Sequence, residues 1–268
     1  MHVQYCVFCF IFVANVLLVT SGEKKYNALT NKLEDWVKDS EVIDLFYETH
    51  HQLFKYENHP KALLGSTGAF INNKMVICGG SDGHPGFGGT CKKECYIIEQ
   101  ESSSFHVDMI QKRAYAASVV IADNLWILGG YDNFVMEPQR TSEYISTIDG
   151  ITWPGPNLPI SLYNQAVVDI NQSCIMLIGG FDGDASDKTF YFSHMTKLWT
   201  IGPNLLQARF AHSAGVITDN ATQEVHIVAV GGKTCLGGSL DCFLNTVEMI
   251  NEESQWILGK MVYEIGKK

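Results

Sequence analysis

The sequence has no run of lysines and arginines, and its 19 basic residues are outnumbered by 29 acidic ones, for a formal charge of −10. Nucleic acid is therefore excluded as a partner, because phosphate binding needs a basic surface. Catalytic signatures are missing too: no His-Glu-x-x-His and no Gly-x-Ser-x-Gly occurs, which removes the zinc-protease and nucleophile-elbow readings. Helix signals are nearly absent after residue 40. A parallel α/β architecture, which needs about a dozen residues of crossover between strands, does not fit. Only one segment is long and apolar enough to be weighed as a bilayer span, and it lies at the very start.

That segment, "MHVQYCVFCFIFVANVLLVTSG", is apolar from Val3 to Val19 and ends in Thr20, Ser21 and Gly22. It reads as a secretory signal peptide over residues 1–22, with an uncleaved membrane anchor as the alternative. Secretion sets how the cysteines are read. Cys6 and Cys9 leave with the signal, and an even six remain: Cys78, Cys91, Cys95, Cys174, Cys235 and Cys242. Two close pairs in Gly-rich sequence, Cys91 with Cys95 and Cys235 with Cys242, are the expected disulfides. A four-thiolate zinc site is the rival, and the gaps within the pairs do not suit one. Cys78 and Cys174 sit in apolar runs, where a free cysteine packs as a small hydrophobe. Sequons at Asn171 and Asn220 agree with N-glycosylation of a secreted chain.

The dominant feature is a repeat. "MVICGGSDG" at Gly79-Gly80 recurs as "LWILGGYDN" at Gly129-Gly130, "IMLIGGFDG" at Gly179-Gly180 and "HIVAVGGKT" at Gly231-Gly232. An aromatic keeps step at Phe105, Trp153, Trp199 and Trp256. Within each unit the apolar residues follow strand periodicity, and turn signals divide the unit into four short strands. Tandem four-stranded units of about 50 residues are the arithmetic of an all-β propeller. The glycines are expected to shape the end of the second strand and the aromatics to fill gaps between sheets. A phosphate-cradling loop is excluded, since no helix opens behind the glycines.

The apolar run ending in two glycines, the downstream aromatic, "GPNL" after Trp153 and Trp199, and Arg113 and Arg209 heading the next unit together resemble the Kelch-repeat β-propeller family. The resemblance covers residues 41–260 and implies that the segment before the hairpin is innermost and the aromatic strand outermost. Ahead of it, residues 23–40 carry Leu29, Leu33, Trp36 and Val37 at helical spacing and are expected to form a short helix or irregular cap. "EVIDLFYETHHQLF" matches a partial blade with Phe54 in the aromatic place. Four full blades and one partial blade, followed by a tail at 261–268, leave a five-bladed ring, an open arc and an incomplete chain all standing.

In Kelch domains the loops after the glycines lie on the face that commonly recognises ligands. Here those loops offer Asp82, His84, Phe87, Lys92 and Lys93 in the first unit and Asp132 and Arg140 in the second. The third and fourth offer Asp182, Asp184, Lys233 and Leu236. The two expected disulfides fall in the same loops, where they would stiffen a binding surface or simply staple long loops. "DGDASD" resembles a calcium loop only loosely, lacking the glycine and terminal glutamate, and reads as a solvated acidic turn. No cofactor or metal is expected. The expected function is a secreted, non-enzymatic module that binds a protein or glycan. The alternative is a carbohydrate-active enzyme, because galactose oxidase and sialic-acid epimerases also use Kelch propellers. Few loop arginines are present to build such an active site.

Overall fold

A computed structural model gives the architecture. It describes residues 63–72, 74–83, 89–99, 105–133, 136–218, 224–236, 240–250 and 254–260. It also gives the backbone of three N-terminal strands, β1 (Phe8–Val13), β2 (Val16–Asn27) and β3 (Lys32–Asp44). The chain divides into two compact units, Met1–Ser161 and Leu162–Lys268.

In the first unit, β1, β2 and β3 form an antiparallel sheet in that order. The helix expected over residues 23–40 is thus replaced by strand. An isolated helix of about 12 residues is marginal in water, whereas β3 finds a long partner in β2, broken by a single register shift between Thr20 and Gly22. The partial blade around Phe54 lies outside the described residues.

Two blades follow. The first is β4 (Thr67–Ile71), β5 (Lys74–Cys78), β6 (Glu94–Glu99) and β7 (Phe105–Asp108). The second is β8 (Ala117–Ile121), β9 (Asn124–Leu128), β12 (Ser142–Ser146) and β13 (Thr152–Pro154), with the short ribbon β10 (Tyr131–Asp132) and β11 (Glu137–Pro138) in its loop. The second unit holds blade 3, β14 (Ala166–Asp169), β15 (Cys174–Ile178), β16 (Thr189–Ser193) and β17 (Leu198–Ile201). Blade 4 is β18 (Ser213–Thr218), β19 (Val225–Val230), β20 (Thr246–Ile250) and β21 (Trp256–Lys260). Each blade is a four-stranded antiparallel meander paired in chain order. The all-β expectation and the four full blades therefore stand.

Within each unit, adjacent blades pack face to face. Ala69, Val76 and Ile97 of blade 1 meet Leu125, Ile127 and Ile145 of blade 2, and Val168, Met176 and Tyr191 of blade 3 meet Ile227, Ala229, Ile250 and Trp256 of blade 4. First strands also touch: Thr67 Oγ1 donates to Ser118 Oγ at 2.8 Å, and Ser118 Oγ donates to the Gly68 carbonyl at 2.9 Å. The double glycine works at this junction. Gly79 and Gly80 have φ of 63° and 94°, and a Cβ on Gly79 would stand 2.3 Å from the Arg113 carbonyl oxygen. That same carbonyl accepts the Gly80 N–H at 2.9 Å, stitching the end of β5 to the head of the next blade.

The aromatics behave less uniformly than their spacing implies. In the strand register Tyr144 faces Trp153, whereas Phe192 faces Trp199 and Ile250 faces Trp256. The first of these rows lies one residue out of step with the other two, so the rings fall on opposite sheet faces. Trp256 is buried toward blade 3 and donates Nε1–H to the Pro203 carbonyl at 2.9 Å. Trp153 is instead partly exposed, stacked on Tyr144, which stacks on the buried Trp126. The gap-filling role thus belongs to Trp256 and not to Trp153, while Trp199 is half-buried against Phe192 of its own blade. The Phe105 side chain lies outside the described residues.

Candidate functional site

At the glycine end of every blade the chain makes the same small construction. The residue after the glycines bridges to the head of its own blade and to the returning loop. The trios are Leu64–Ser81–Cys91, Ala114–Tyr131–Pro138, Tyr163–Phe181–Ala185 and Phe210–Lys233–Phe243. These bridges position the loops.

In the first unit the trios carry a polar surface. Asp82 Oδ1 accepts the Thr90 N–H at 2.6 Å and Oδ2 pairs with Lys92 Nζ at 2.5 Å, closing the loop around residues 83–89. Burial alone would raise the Asp82 pKa, but Lys92 and the Thr90 N–H outweigh it and hold the carboxyl below its ordinary value. Lys93 pairs with Asp108 at 2.7 Å, and Arg140 Nε donates to the Leu158 carbonyl. Asn133 Nδ2 reaches across to Ser81 Oγ at 3.1 Å and the Gly89 carbonyl at 2.7 Å, tying the loops of blades 1 and 2 together. Between them lies an open cavity of about 510 Å³ lined by Gly89, Thr90, Cys91, Lys112, Asp132 and Asn133. His84 and Phe87 lie outside the described residues.

The cysteines of this loop pair differently from the sequence expectation. Cys95 bonds Cys78, not Cys91. The two stand directly opposite on β5 and β6, with Cα atoms 4.0 Å apart, so strand register chooses the partner and nearness in sequence does not. Cys78 is therefore not a free core thiol. Cys91 is free and buried, its Sγ donating to the Tyr131 carbonyl at 3.3 Å, and burial raises its pKa. Such a thiol is a poor nucleophile. Cys174 is free, as its apolar setting implies.

The second unit places aromatic rings in its trios, with Phe181 and Phe210 buried and Tyr163 half-buried. Tyr163, Phe181 and Phe210 form a chain of rings, with centroids 5.3 and 4.9 Å apart. Lys233 continues it, its Nζ 4.6 Å from the centroid of the partly exposed Phe243. Desolvation lowers the Lys233 pKa. The Cys235–Cys242 disulfide forms as expected, closing a loop that holds Leu236 66% exposed. Asp182 and Asp184 are exposed in a tight turn where the Asp182 N–H donates to the Asp184 carbonyl at 3.2 Å. Among the described residues no group of three or more His, Cys, Asp or Glu side chains could hold a metal ion.

Asn171 is exposed in the β14–β15 hairpin, at the end of blade 3 opposite its glycines. Asn220 lies outside the described residues. Sequence reading missed the aromatic trio and Phe243. Their signal is positional: each directly follows a glycine pair or a blade head, or pairs with such a residue.

No family profile and no curated protein sequence matches the chain. Among solved structures it is similar to one titled "Structure of YjhT", with a TM-score of 0.72 and 11% sequence identity over 95% of this chain and 83% of that one. At that identity the likeness speaks for the fold, and the class it defines is the β-propeller.

Proposed function

We propose that this chain is a secreted, non-enzymatic Kelch-type binding module that recognises a protein partner through the loops at the glycine ends of its blades. The observation that carries the reading is the loop surface of the second unit. There a disulfide-closed loop presents an exposed Leu236, and Phe243, directly after Cys242, holds a partly desolvated Lys233 over its ring. Exposed aliphatic and aromatic side chains on a stapled loop suit protein recognition, since little ordering entropy is lost on docking. The charged loop residues of the first unit point the same way. Asp82, Lys92, Lys93 and Arg140 are engaged in holding loops and strands, so they build scaffold and do not converge on a reaction centre. Two disulfides suit an extracellular setting. Cleavage of residues 1–22 as a signal peptide would take away β1 and the first part of β2, leaving Glu23–Asn27 to pair with β3. Sugar on Asn171 would decorate the end of blade 3 away from these loops.

The test is binding of the purified secreted protein to cell-surface and extracellular-matrix protein fractions, compared with Leu236→Asp and Lys233→Ala variants. Peptide mapping without reduction confirms that Cys235–Cys242 still forms. Protease-sensitive binding that falls at least about tenfold in Leu236→Asp is expected, a loss of roughly 1.4 kcal/mol. Equal binding by both variants, or binding abolished by glycosidases alone, overturns the reading.

A further inference from the structure

The cavity between the loops of blades 1 and 2 is lined by Gly89, Thr90, Cys91, Lys112, Asp132 and Asn133, and its volume of about 510 Å³ is that of a small-molecule pocket. The lining separates by charge. Cys91 is buried, and its thiol feels the carboxylates of Asp132 and Asp82 with the Asn133 N–H beside it. Lys112, by contrast, is exposed to solvent. The cavity thus has an acidic inner end and a basic mouth.

At the inner end the chain is short of a hydrogen-bond donor. Asn133 spends its Nδ2 on Ser81 Oγ and the Gly89 carbonyl, while its Oδ1 is buried and among the described residues has no hydrogen-bond partner. A buried acceptor left this way is costly until a donor reaches it. The donors nearby are committed elsewhere: the Cys91 thiol to the Tyr131 carbonyl, the Thr90 N–H to Asp82 Oδ1, and Lys92 to Asp82 Oδ2. Arg113 also feels the Asp132 charge, but it is buried and holds Glu143 and the Gly129 and Thr141 carbonyls. A cationic N–H group fits beside Asp132 and Asn133, and an anionic group fits beside Lys112. We propose that this cavity binds a small zwitterion of the α-amino acid class, its ammonium turned inward to Asp132 and Asn133 and its carboxylate outward to Lys112. A neutral ligand leaves both charges unanswered, and a simple amine meets Lys112 with like charge. Neither Leu236 nor Lys233 takes part, so the protein-binding reading stands or falls separately.

Calorimetric titration of the purified secreted chain with each of the common α-amino acids tests this. At least one should bind with a Kd below about 1 mM. Its N-acetyl form, which has lost the ammonium, and its carboxamide, which has lost the carboxylate, should each bind at least about tenfold more weakly. Asp132→Asn and Lys112→Met should weaken the parent amino acid by a similar factor, and the bound ligand should shift the NMR signals of Thr90 and of the Asn133 side-chain amide. Lys112 is exposed, and an unchanged urea midpoint shows that its substitution leaves the fold intact. The absence of any binder below about 1 mM, or a binder indifferent to both substitutions or to the loss of either of its own charges, overturns the proposal.

Discussion

Blades 2 and 4 are locked by a buried ion pair, while blades 1 and 3 place uncharged side chains in the same positions. In blade 2, Arg113 Nη2 meets Glu143 Oε1 at 2.7 Å, Nη1 donates to the Gly129 and Thr141 carbonyls, and Glu143 Oε2 accepts the Ile110 N–H at 2.5 Å. Blade 4 repeats this atom for atom, with Arg209, Glu248, Gly231, Thr246 and Leu206. Even the flanking bond recurs: Thr141 Oγ1 donates to Gln111 Oε1, and Thr246 Oγ1 to Gln207 Oε1. The first glycine of each unit donates to the carbonyl of Glu94, Thr141, Lys188 and Thr246 in turn, which fixes the alignment. By that alignment blade 1 has Leu63 and Tyr96, and blade 3 has Leu162 and Phe190. Leu63 and Leu162 are as buried as the arginines.

The pairs are interchangeable in volume but not in their failure. An arginine and glutamate fully removed from water gain little net stability over an apolar pair, yet losing one partner strands the other charge. Burial lowers the Arg113 pKa while Glu143 works against that shift, and the guanidinium stays charged throughout the ordinary pH range. Glu248→Ala is accordingly the most damaging of the changes considered. It leaves Arg209 unpaired at 0% exposure and the Leu206 and Gln207 N–H groups without an acceptor. A loss of about 3–5 kcal/mol in urea unfolding is expected. A loss below about 1 kcal/mol would mean that the two kinds of blade are energetically alike in failure as well as in sum.

Much of this was legible in the chain itself. The glycine pairs, the strand count and Arg113 and Arg209 all follow from recurrence, because identical backbone geometry demands identical residues. The glutamates were not legible, since Glu143 and Glu248 lie 30 and 39 positions beyond their arginines across loops of unequal length. Loop length also hid the Cys78–Cys95 bond and the one-residue offset that turns Trp153 outward. Pairing between distant strands decides each of these, and local spacing carries no record of it. Of the candidate site, Lys233, Leu236 and Cys235–Cys242 were found by loop position. Tyr163, Phe181 and Phe210 were missed because aromatics beside glycines read as packing.

His212 gives a second contrast, between blades 3 and 4. At the place beside the second glycine, blade 1 has Ser66, blade 2 Ala116, blade 3 Gln165 and blade 4 His212. His212 is buried, and among the described residues neither ring nitrogen has a hydrogen-bond partner. Desolvation, with Arg209 adding to it, pushes its pKa down to about 3. The folded state thus resists a proton that the unfolded chain accepts near pH 6.5. Its contribution is intact above that pH and is lost as pH falls toward 3. Between pH 7 and pH 4 the loss amounts to about 3 kcal/mol. His212→Gln, which copies blade 3, should flatten this part of the acid limb in urea midpoints measured from pH 7 to pH 4. An unchanged slope would place the acid sensitivity elsewhere.

The smallest effect is the most informative, because it asks whether one kind of blade can be turned into the other. Replacing Arg209 and Glu248 by Leu and Phe, as in blade 3, removes both charges together and so avoids the stranded ion. It still orphans the Leu206 and Gln207 N–H groups, which donate to Glu248 at 2.6 and 3.0 Å. The chain itself anticipates this: ahead of blade 3, where Leu158 corresponds to Leu205 by its bond to the preceding strand's loop, the next residue is Pro159, which has no N–H to satisfy. The apolar pair and the proline belong together. Arg209→Leu with Glu248→Phe should therefore cost about 1–3 kcal/mol, and adding Leu206→Pro should restore about 1 kcal/mol of it. A proline that destabilises further would show that the segment before blade 4 has a backbone of its own, and that the two blade types differ in more than the pair they bury.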